Sequence, residues 1–520
     1  MADQERRVRV VGGGPAGLFA ARLLKRAWPG WEVRLHERLP AEQTFGFGVG
    51  LSGRTLSAVE QADPEVAADL VEAAWQFSTA EFRLPQGTAA IPGFHSGVAI
   101  GRATLLRILA RRAEQAGVKL EPGSAPPWPD ARPGARPGAG ADADADLVIA
   151  ADGVGSTLRQ ELASQFGPDV TEARGNFFWC GSEVPLPGTV FTPVRTKHGV
   201  FTMHAYPYER HRSTFVIDAS DATLRAAGLA DPVFAADGDS DERSLAYLSD
   251  AFAGLLGGRP FVGNRSRWTH FRTVRCARWS AGPVVLLGDA AATAHPTIGS
   301  GTKLALESAI ALVAALQADH DIEPALHAFE QARRPEVERL QALAGRSQLW
   351  WDSFEHRLAL SPARMAAGFL SRAGAVSLDD LARTGPDLAV AAVADWAGVP
   401  IHDVPASRLS DWVLSRPLPG TSFTTRLTKP TGPSLTVGTG DAWGPAGDRI
   451  LAAAPGPGQV VRLVGGPAPE QVRDRLAVAE RLRAEGRIVQ VAGPPASRPD
   501  LADGLLAGRT DLVCLEPPDA

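Results

Sequence analysis

Cysteine is almost missing from this chain: three in 520 residues, Cys180, Cys276 and Cys514, far apart and odd in number. They form neither a CxxC pair nor a disulfide framework, so the default is a reducing compartment and small packed side chains rather than catalytic thiols. No apolar run reaches the roughly 18–20 residues of a membrane span. No secretory pattern precedes the first apolar strand near Val8, so a cytoplasmic protein without a membrane partner is expected. Positive charge is not in excess. Lys and Arg number 53 against 58 Asp and Glu, for a net charge of −5, and the arginines are scattered among acids, which argues against a nucleic-acid partner. The histidines show no HExxH-like spacing, and no metal is called for.

What is present is an ordinary globular composition, 44% hydrophobic and 21% charged, over a length that suits two or three domains. Residues 8–11 read as a strand, followed by a glycine turn and a helix through Leu18, Phe19, Ala21, Leu23 and Leu24. A second strand, 32–37, ends in Glu37. This strand–turn–helix–strand unit opens a doubly wound α/β sheet. A helix is expected near Arg102–Gln115, an exposed Pro/Gly/Ala/Asp-rich loop over 122–145, and a strand over 147–151. Residues 176–218 carry β-forming runs (Phe177–Cys180, Val190–Thr192, Val200–His204, Thr214–Ile217) that predict a separate, largely antiparallel sheet. Strand 283–288 returns to the first domain. A long helical stretch from Thr302 to about Leu343 should break at Pro324 and Pro335, and 350–395 reads as helical, with Trp350-Trp351 as helix packing. After a Pro/Gly-rich stretch from about 400 to 458, the pattern is strand 460–464, helix 469–485, strand 487–491, helix 499–507 and strand 511–515.

Gly12-x-Gly14-x-x-Gly17 follows a strand and opens a helix. Gly12 permits the turn, Gly14 lets the backbone approach a pyrophosphate, and Gly17 lets helix and strand pack closely. The helix N-terminus offers N–H groups to phosphates, and Glu37, 20 residues past Gly17, is placed to accept from ribose hydroxyls. This points to a dinucleotide without separating FAD from NAD. Two further turns follow apolar strands, Asp152-Gly153 and Gly288-Asp289.

Together these stretches resemble the fingerprints of the group A flavin monooxygenases, the family of para-hydroxybenzoate and phenol hydroxylases, over roughly residues 6–345. The resemblance implies FAD, with Gly12, Gly14, Pro15, Ala16, Gly17, Glu37, Arg38, Arg102, Asp152, Gly153, Gly288, Asp289, Pro296, Gly299, Ser300 and Gly301 at the cofactor. In it Asp289 would hold the ribityl chain. Arg102, Leu105 and Leu109 match an Arg-x-x-Leu-x-x-x-Leu segment whose Arg approaches FAD. The turn from Pro296 to Gly301 would aim backbone N–H groups at the flavin ring. The chain departs from the family at Ala292 (often His), Lys303 (often Asn) and Glu307 (often Asp).

Phe45-Gly46-Phe47-Gly48-Val49, the run around His204-Ala205-Tyr206 and the segment 298–307 resemble the branch of the violacein-pathway hydroxylase and the anthraniloyl-CoA and salicylyl-CoA hydroxylases. The implied reaction is NAD(P)H- and O2-dependent hydroxylation of an aromatic ring through a flavin hydroperoxide, with either NADH or NADPH as co-substrate. The expected target is a phenol, indole or hydroxypyridine (a piericidin-type ring among them), probed against an aryl-CoA thioester. His295, His204 and Tyr206 are the candidate catalytic side chains; His204 and Tyr206 alternate on one strand and share a face. Phe45, Phe47, Gly48, Val49, Trp179 and Phe201 are candidates for the substrate wall. A flavin halogenase is disfavoured because no Trp-x-Trp-x-Ile-Pro segment is present, a simple NAD dehydrogenase because it would leave Gly288-Asp289 without a purpose. A non-catalytic flavin-binding assembly protein is the alternative of another class.

The expected organisation is a Rossmann-like FAD-binding domain (1–175, with the 122–145 loop), a substrate-binding β-sheet domain (176–275), a return to the FAD domain with its long helix (276–345), a helical segment (346–400) and a small C-terminal α/β module (401–520). The last resembles the tail of an old-yellow-enzyme barrel, yet only ~120 residues remain where a full barrel takes about 250. A thioredoxin-like appendage is the other option for it, and homo-oligomerisation is left open.

Overall fold

A computed structural model describes residues 5–40, 46–93, 97–124, 145–231, 238–438 and 442–517. The chain forms two compact units, one of residues 1–79 and 95–348, the other of 80–94 and 349–520.

In the first unit, Arg7–Val11, Glu32–Glu37 and Leu147–Ala150 pair in parallel; Leu147–Ala150 is apolar throughout, while the other two alternate apolar residues with charged ones. Val284–Leu286 joins Leu147–Ala150 in parallel and Lys119–Pro122 joins Glu32–Glu37. The full order is Ser280–Ala281, Val284–Leu286, Leu147–Ala150, Arg7–Val11, Glu32–Glu37, Lys119–Pro122. The helix Pro15–Ala27 carries Pro15 at its first position, where the missing N–H costs nothing, and packs its Leu18, Phe19 and Leu24 face against the helix Gly301–Ala318. Gly301–Ala318 is, among the described residues, the one helix long and apolar enough to cross a membrane; its Leu304, Leu306, Leu312 and Leu316 are buried in this core. Residues 125–144, the greater part of the expected loop, lie outside the described residues.

A second, antiparallel sheet in this unit runs Thr269–Cys276, Pro168–Ser182, Arg212–Ala219, Gly199–Glu209, Thr189–Thr196. One face is a closed apolar core of Phe178, Cys180, Phe201, Met203, Phe215 and Ile217, covered by the helix Glu242–Ala251. The other carries Phe177, Trp179, Thr214, Val216, Asp218, His204 and Tyr206, by the two-residue alternation of strands. A small sheet, Gly48–Leu51, Gly97–Gly101 and Trp75–Phe77, completes the unit.

The helix Ile322–Asp352 continues through Pro335, so the expected break there does not occur. Pro324 sits in its first turn, where proline is tolerated.

In the second unit the expected helical segment and the C-terminal module share one core, from Ala367 and Leu378 through Val461, Leu476 and Val513. The hairpin Ala80–Leu84/Gly87–Ala90 belongs here too, because Phe82 packs into an aromatic cluster of Trp350, Trp351 and Phe369. Four parallel strands, Ser434–Thr436, Val460–Val464, Ile488–Gly493 and Leu512–Leu515, stand side by side in chain order with helices between them. That is the winding of a barrel segment. Residues 426–428 hydrogen-bond the far edge, at Val513. The chain between them and Ser434 is strapped down by the buried Gln490, whose amide nitrogen donates to Thr428 Oγ1 and the Lys429 carbonyl and whose oxygen accepts from Thr431 N–H.

Candidate active site

The three glycine-bearing turns of the first unit meet at the C-terminal ends of its parallel strands, where ligands of open α/β sheets bind. Gly12 takes φ +107°, and a Cβ there would lie 2.2 Å from the Ala151 carbonyl oxygen. A Cβ on Gly17 would lie 2.1 Å from the Gly12 carbonyl oxygen. Gly288, at φ +62°, comes so close to Ala16 that its own Cβ would be 2.8 Å away. The first and third turns are therefore in contact. Glu37 reaches back to the first, its Oε2 accepting from Gly13 N–H at 2.7 Å. Arg38 is exposed beside it.

Two helix N-termini open at these turns without a side-chain cap, Pro15–Ala27 after Gly14 and Gly301–Ala318 after Ser300. Their first N–H groups are oriented for an anion. Arg102 begins the helix Arg102–Ala116, its N–H held by the Phe47 carbonyl at 2.7 Å. Its guanidinium faces Asp289. Burial pulls the Arg102 pKa down and pushes that of Asp289 up, and each charge opposes the other's shift. The Asp289 side chain is nonetheless exposed. Asp152 caps the short helix Thr157–Glu161 by accepting from Thr157 N–H at 2.8 Å. Gly153 takes φ +83°.

The fit to FAD can be judged from polar atoms that the protein buries and leaves without a partner. Arg102 Nε, Asp152 Oδ1 and Ser300 Oγ are such atoms, at three of the places where the sequence expects the cofactor. With the two uncapped helix ends and the glycines that no larger residue could replace, the residues present suit a dinucleotide carrying phosphates and hydroxyls. Pro296–Ile298 forms a single 3-10 turn and Gly299 closes it at φ +65°. Lys303 and Glu307, where the chain departs from the family, compensate each other: Lys303 Nζ lies 2.5 Å from Glu307 Oε2, which also meets Arg333 at 3.2 Å, while Thr55 Oγ1 donates to Oε1.

The imidazoles expected at the reaction centre do come together. His295, just before the 3-10 turn, is buried; its Nδ1 lies 3.2 Å from Thr297 Oγ1 and its ring meets Phe271 edge-on. Burial, with the nearby His204, pushes its pKa down to about 3, so it is neutral at ordinary pH. His204 lies 3.3 Å from Asp218 through Nε2 and packs edge-on to Phe191. Tyr206 shares that face, but its hydroxyl donates to the Gly48 carbonyl at 3.0 Å and burial drives its pKa well up. It therefore anchors the Gly48 strand with its hydroxyl. Trp179 donates through Nε1 to Thr214 Oγ1 and its ring covers Gly46. Phe47 packs against Gly181, and Val49 is buried.

Phe201 is a correction. It is fully buried on the opposite face, against Tyr247 and Trp268, because odd-numbered residues of Gly199–Glu209 point to the core while His204 and Tyr206 point away. Phe45 lies outside the described residues. Sequence reasoning missed Arg159, which is 2% exposed and donates to both the Ala290 and Val154 carbonyls, joining the second fingerprint to the third. An Arg in the first turn of the short helix after Asp152-Gly153, in Ser156-Thr157-Leu158-Arg159, was the available signal. It also missed Asp218, a charge between Ile217 and Ala219 on a strand whose other face is core, and the rings of Phe177, Phe191 and Phe271. Among the described residues no group of three His, Cys, Asp or Glu could hold a metal ion.

Residues 5–343 match the FAD binding domain family, and the chain belongs to it. It is 39% identical over 371 residues to a salicyloyl-CoA 5-hydroxylase of a Streptomyces species, covering 70% of this chain and 69% of that protein. It is 36% identical over 380 residues to a 3-hydroxy-4-methyl-anthranilyl-(aryl-carrier protein) 5-monooxygenase of Streptosporangium sibiricum, covering 73% and 97%. A protodeoxyviolaceinate monooxygenase of Chromobacterium violaceum is 31% identical, with 70% and 94% covered. The fold also resembles the crystal structure of 2-methyl-3-hydroxypyridine-5-carboxylic acid oxygenase (C294A mutant), with a TM-score of 0.55 at 24% identity over 73% of this chain and 98% of that one. The protein is thus a FAD-dependent aromatic monooxygenase that uses NAD(P)H as reductant.

Proposed function

We propose that the protein hydroxylates a phenol or aminoarene ring presented on a carrier, as a CoA or carrier-protein acyl group. The observation that carries this reading is that two relatives, at 39% and 36% identity, are named for such substrates. When bound and reduced, FAD supplies the oxygen transfer to the ring. The chain's own residues do the rest. The N-termini of Pro15–Ala27 and Gly301–Ala318, with Arg102 and Asp289, hold and orient the cofactor. Glu37, with Arg38 beside it, takes the ribose end, Asp152 and Gly153 shape the second turn, and Pro296, Gly299 and Ser300 form the wall against the flavin ring. Gly288 allows the third turn to approach the first.

The aromatic face of the antiparallel sheet, with Trp179, Phe191, His204 and the adjacent His295, receives the substrate ring, and Phe47, Gly48 and Val49 border it. This placement keeps water away from the reacting carbon, since the walls are rings and aliphatic side chains. A free phenol, indole or hydroxypyridine is the second reading, favoured by the violacein-pathway relative, whose name includes no carrier. We assign no chemistry of its own to residues 401–520. Their strands follow one another as in a barrel segment, which supports descent from a shortened barrel, and the Gln490 strap crosses that sheet.

The test is to follow NADH and NADPH oxidation by the purified holoprotein with salicyloyl-CoA, anthraniloyl-CoA and free salicylate. Thioester-stimulated oxidation with a hydroxylated acyl product supports the proposal. Stimulation by free acids alone moves the assignment to the second reading. Bound flavin that no aromatic renders reducible favours a non-catalytic flavin-binding protein.

A further inference from the structure

Asp218 is assigned no part in the reading above, yet its placement is hard to account for by packing alone. It stands on Arg212–Ala219 between Ile217 and Ala219, both turned into the core, and so faces the ring-lined side. Its Oδ2 is buried, and the ion pair that it forms among the described residues is with His204 Nε2, at 3.3 Å across neighbouring strands. The groups around His204 include Asp218 from one adjacent strand, the Phe191 ring from the other, Tyr206 two residues on along its own strand, and His295 from the loop before the flavin-facing turn. Tyr206 donates its proton to Gly48 and carries no charge. Asp218 is thus the one anion facing that imidazole among these groups.

We infer that Asp218 is a positioning residue that makes His204 the proton acceptor for the ring hydroxyl of the substrate, while His295 stays neutral beside it. The inference rests on the reading of this face as the substrate site. The Asp218 carboxylate, 3.3 Å from Nε2 though outside hydrogen-bond geometry, favours the protonated ring by its charge. The substrate O–H bond breaks, its proton passes to the His204 imidazole, and the electron pair remains on the ring oxygen, which activates the carbon to be hydroxylated. The imidazolium formed is balanced by Asp218, so no net charge is created on the sheet. His295 is the less suitable acceptor, since among the described residues no carboxylate pairs with it.

The experiment compares wild type with Asp218→Asn and Asp218→Glu as FAD-loaded proteins. The probes are salicyloyl-CoA and a ring-fluorinated salicyloyl-CoA with a more acidic hydroxyl. Product formation is measured from pH 6 to 9, with FAD content and melting temperature as structural checks. General-base assistance is typically worth about 10²–10⁴-fold. Asp218→Asn is expected to lower kcat at neutral pH by at least tenfold with little change in KM. Raised pH and the fluorinated probe should recover much of it, and Asp218→Glu should rescue part. A loss equal at every pH and for both probes, with FAD and melting temperature retained, overturns the inference, as does an unchanged pH profile. If wild type responds to free phenols but not to either thioester, the same comparison with phenol and fluorophenols decides it. If wild type is stimulated by no aromatic, the substrate-site reading itself fails and the inference with it.

Discussion

Replacing Arg159 by Met should weaken both the fold of the first unit and its hold on FAD. Arg159 is 2% exposed and donates through Nη1 to the Ala290 carbonyl at 2.9 Å and through Nη2 to the Val154 carbonyl at 2.5 Å. One carbonyl follows Asp289 and the other follows Gly153, so a single guanidinium spans two of the turns expected to frame the cofactor. A hydrogen bond with a charged partner contributes about 1.5–3 kcal/mol, so removing both predicts a loss of roughly 3–6 kcal/mol. The apolar stem of Met offsets about 1 kcal/mol of this through retained packing. FAD binds turns that are already formed, so part of the loss should be seen as weaker binding, at least tenfold, equivalent to about 1.4 kcal/mol. Urea unfolding of the apoprotein followed by tryptophan fluorescence measures the first part, and flavin-fluorescence titration the second. Arg159→Lys should be intermediate, because one ammonium cannot fork to two carbonyls in the same way. An Arg159→Met protein with the unfolding midpoint and FAD affinity of wild type would refute the reasoning.

Gly17→Ala and Gly288→Ala should each give protein without flavin absorbance, the first because a Cβ would lie 2.1 Å from the Gly12 carbonyl oxygen and the second because of its positive φ and its closeness to Ala16. His295 makes stability depend on pH. Its folded pKa is lowered to about 3 from an ordinary 6.5, so the unfolded chain binds the extra proton between those values. The stability tied to its neutrality is complete above pH 6.5 and is lost as pH falls from there towards 3, by at most about 1.4 kcal/mol per pH unit. His295→Gln should flatten that part of the urea-midpoint profile; an unaltered acid limb would count against it. In the second unit, Glu480→Leu leaves the buried Arg357 and the half-buried Arg509 without their shared carboxylate. Breaking such a pair costs about 3–5 kcal/mol, and the unfolding midpoint should drop with FAD content retained.

Much of the fold could be read from local pattern because its signals are local. Glu32–Glu37 alternates charged and apolar residues, Leu147–Ala150 is an apolar run bounded by turns, and the C-terminal strands and helices from Val460 to Leu515 alternate at the expected spacing. The persistence of Ile322–Asp352 through Pro335 was not legible, because tertiary packing on Val337, Phe329 and Ala344 outweighs one missing hydrogen bond. The hairpin Ala80–Ala90 gives no local sign that it belongs with residues 349–520. Only the cluster of Phe82 with Trp350, Trp351 and Phe369 assigns it there.

The sequence by itself determined the cofactor class. The glycines at positions 12, 17 and 288 and the uncapped helix starts at Pro15 and Gly301 are backbone requirements that call for a dinucleotide, and the family resemblance of the three turns together is what pointed to FAD. The substrate face was decided by tertiary structure. Which of two alternating sets on Gly199–Glu209 meets the cleft depends on which neighbours cover the other set, and Phe178, Phe215 and the helix Glu242–Ala251 claim Phe201 for the core. The nearness of Asp218, His204 and His295 likewise comes from a cross-strand diagonal and a loop some 90 residues further on (204 to 295), contacts that no local pattern encodes.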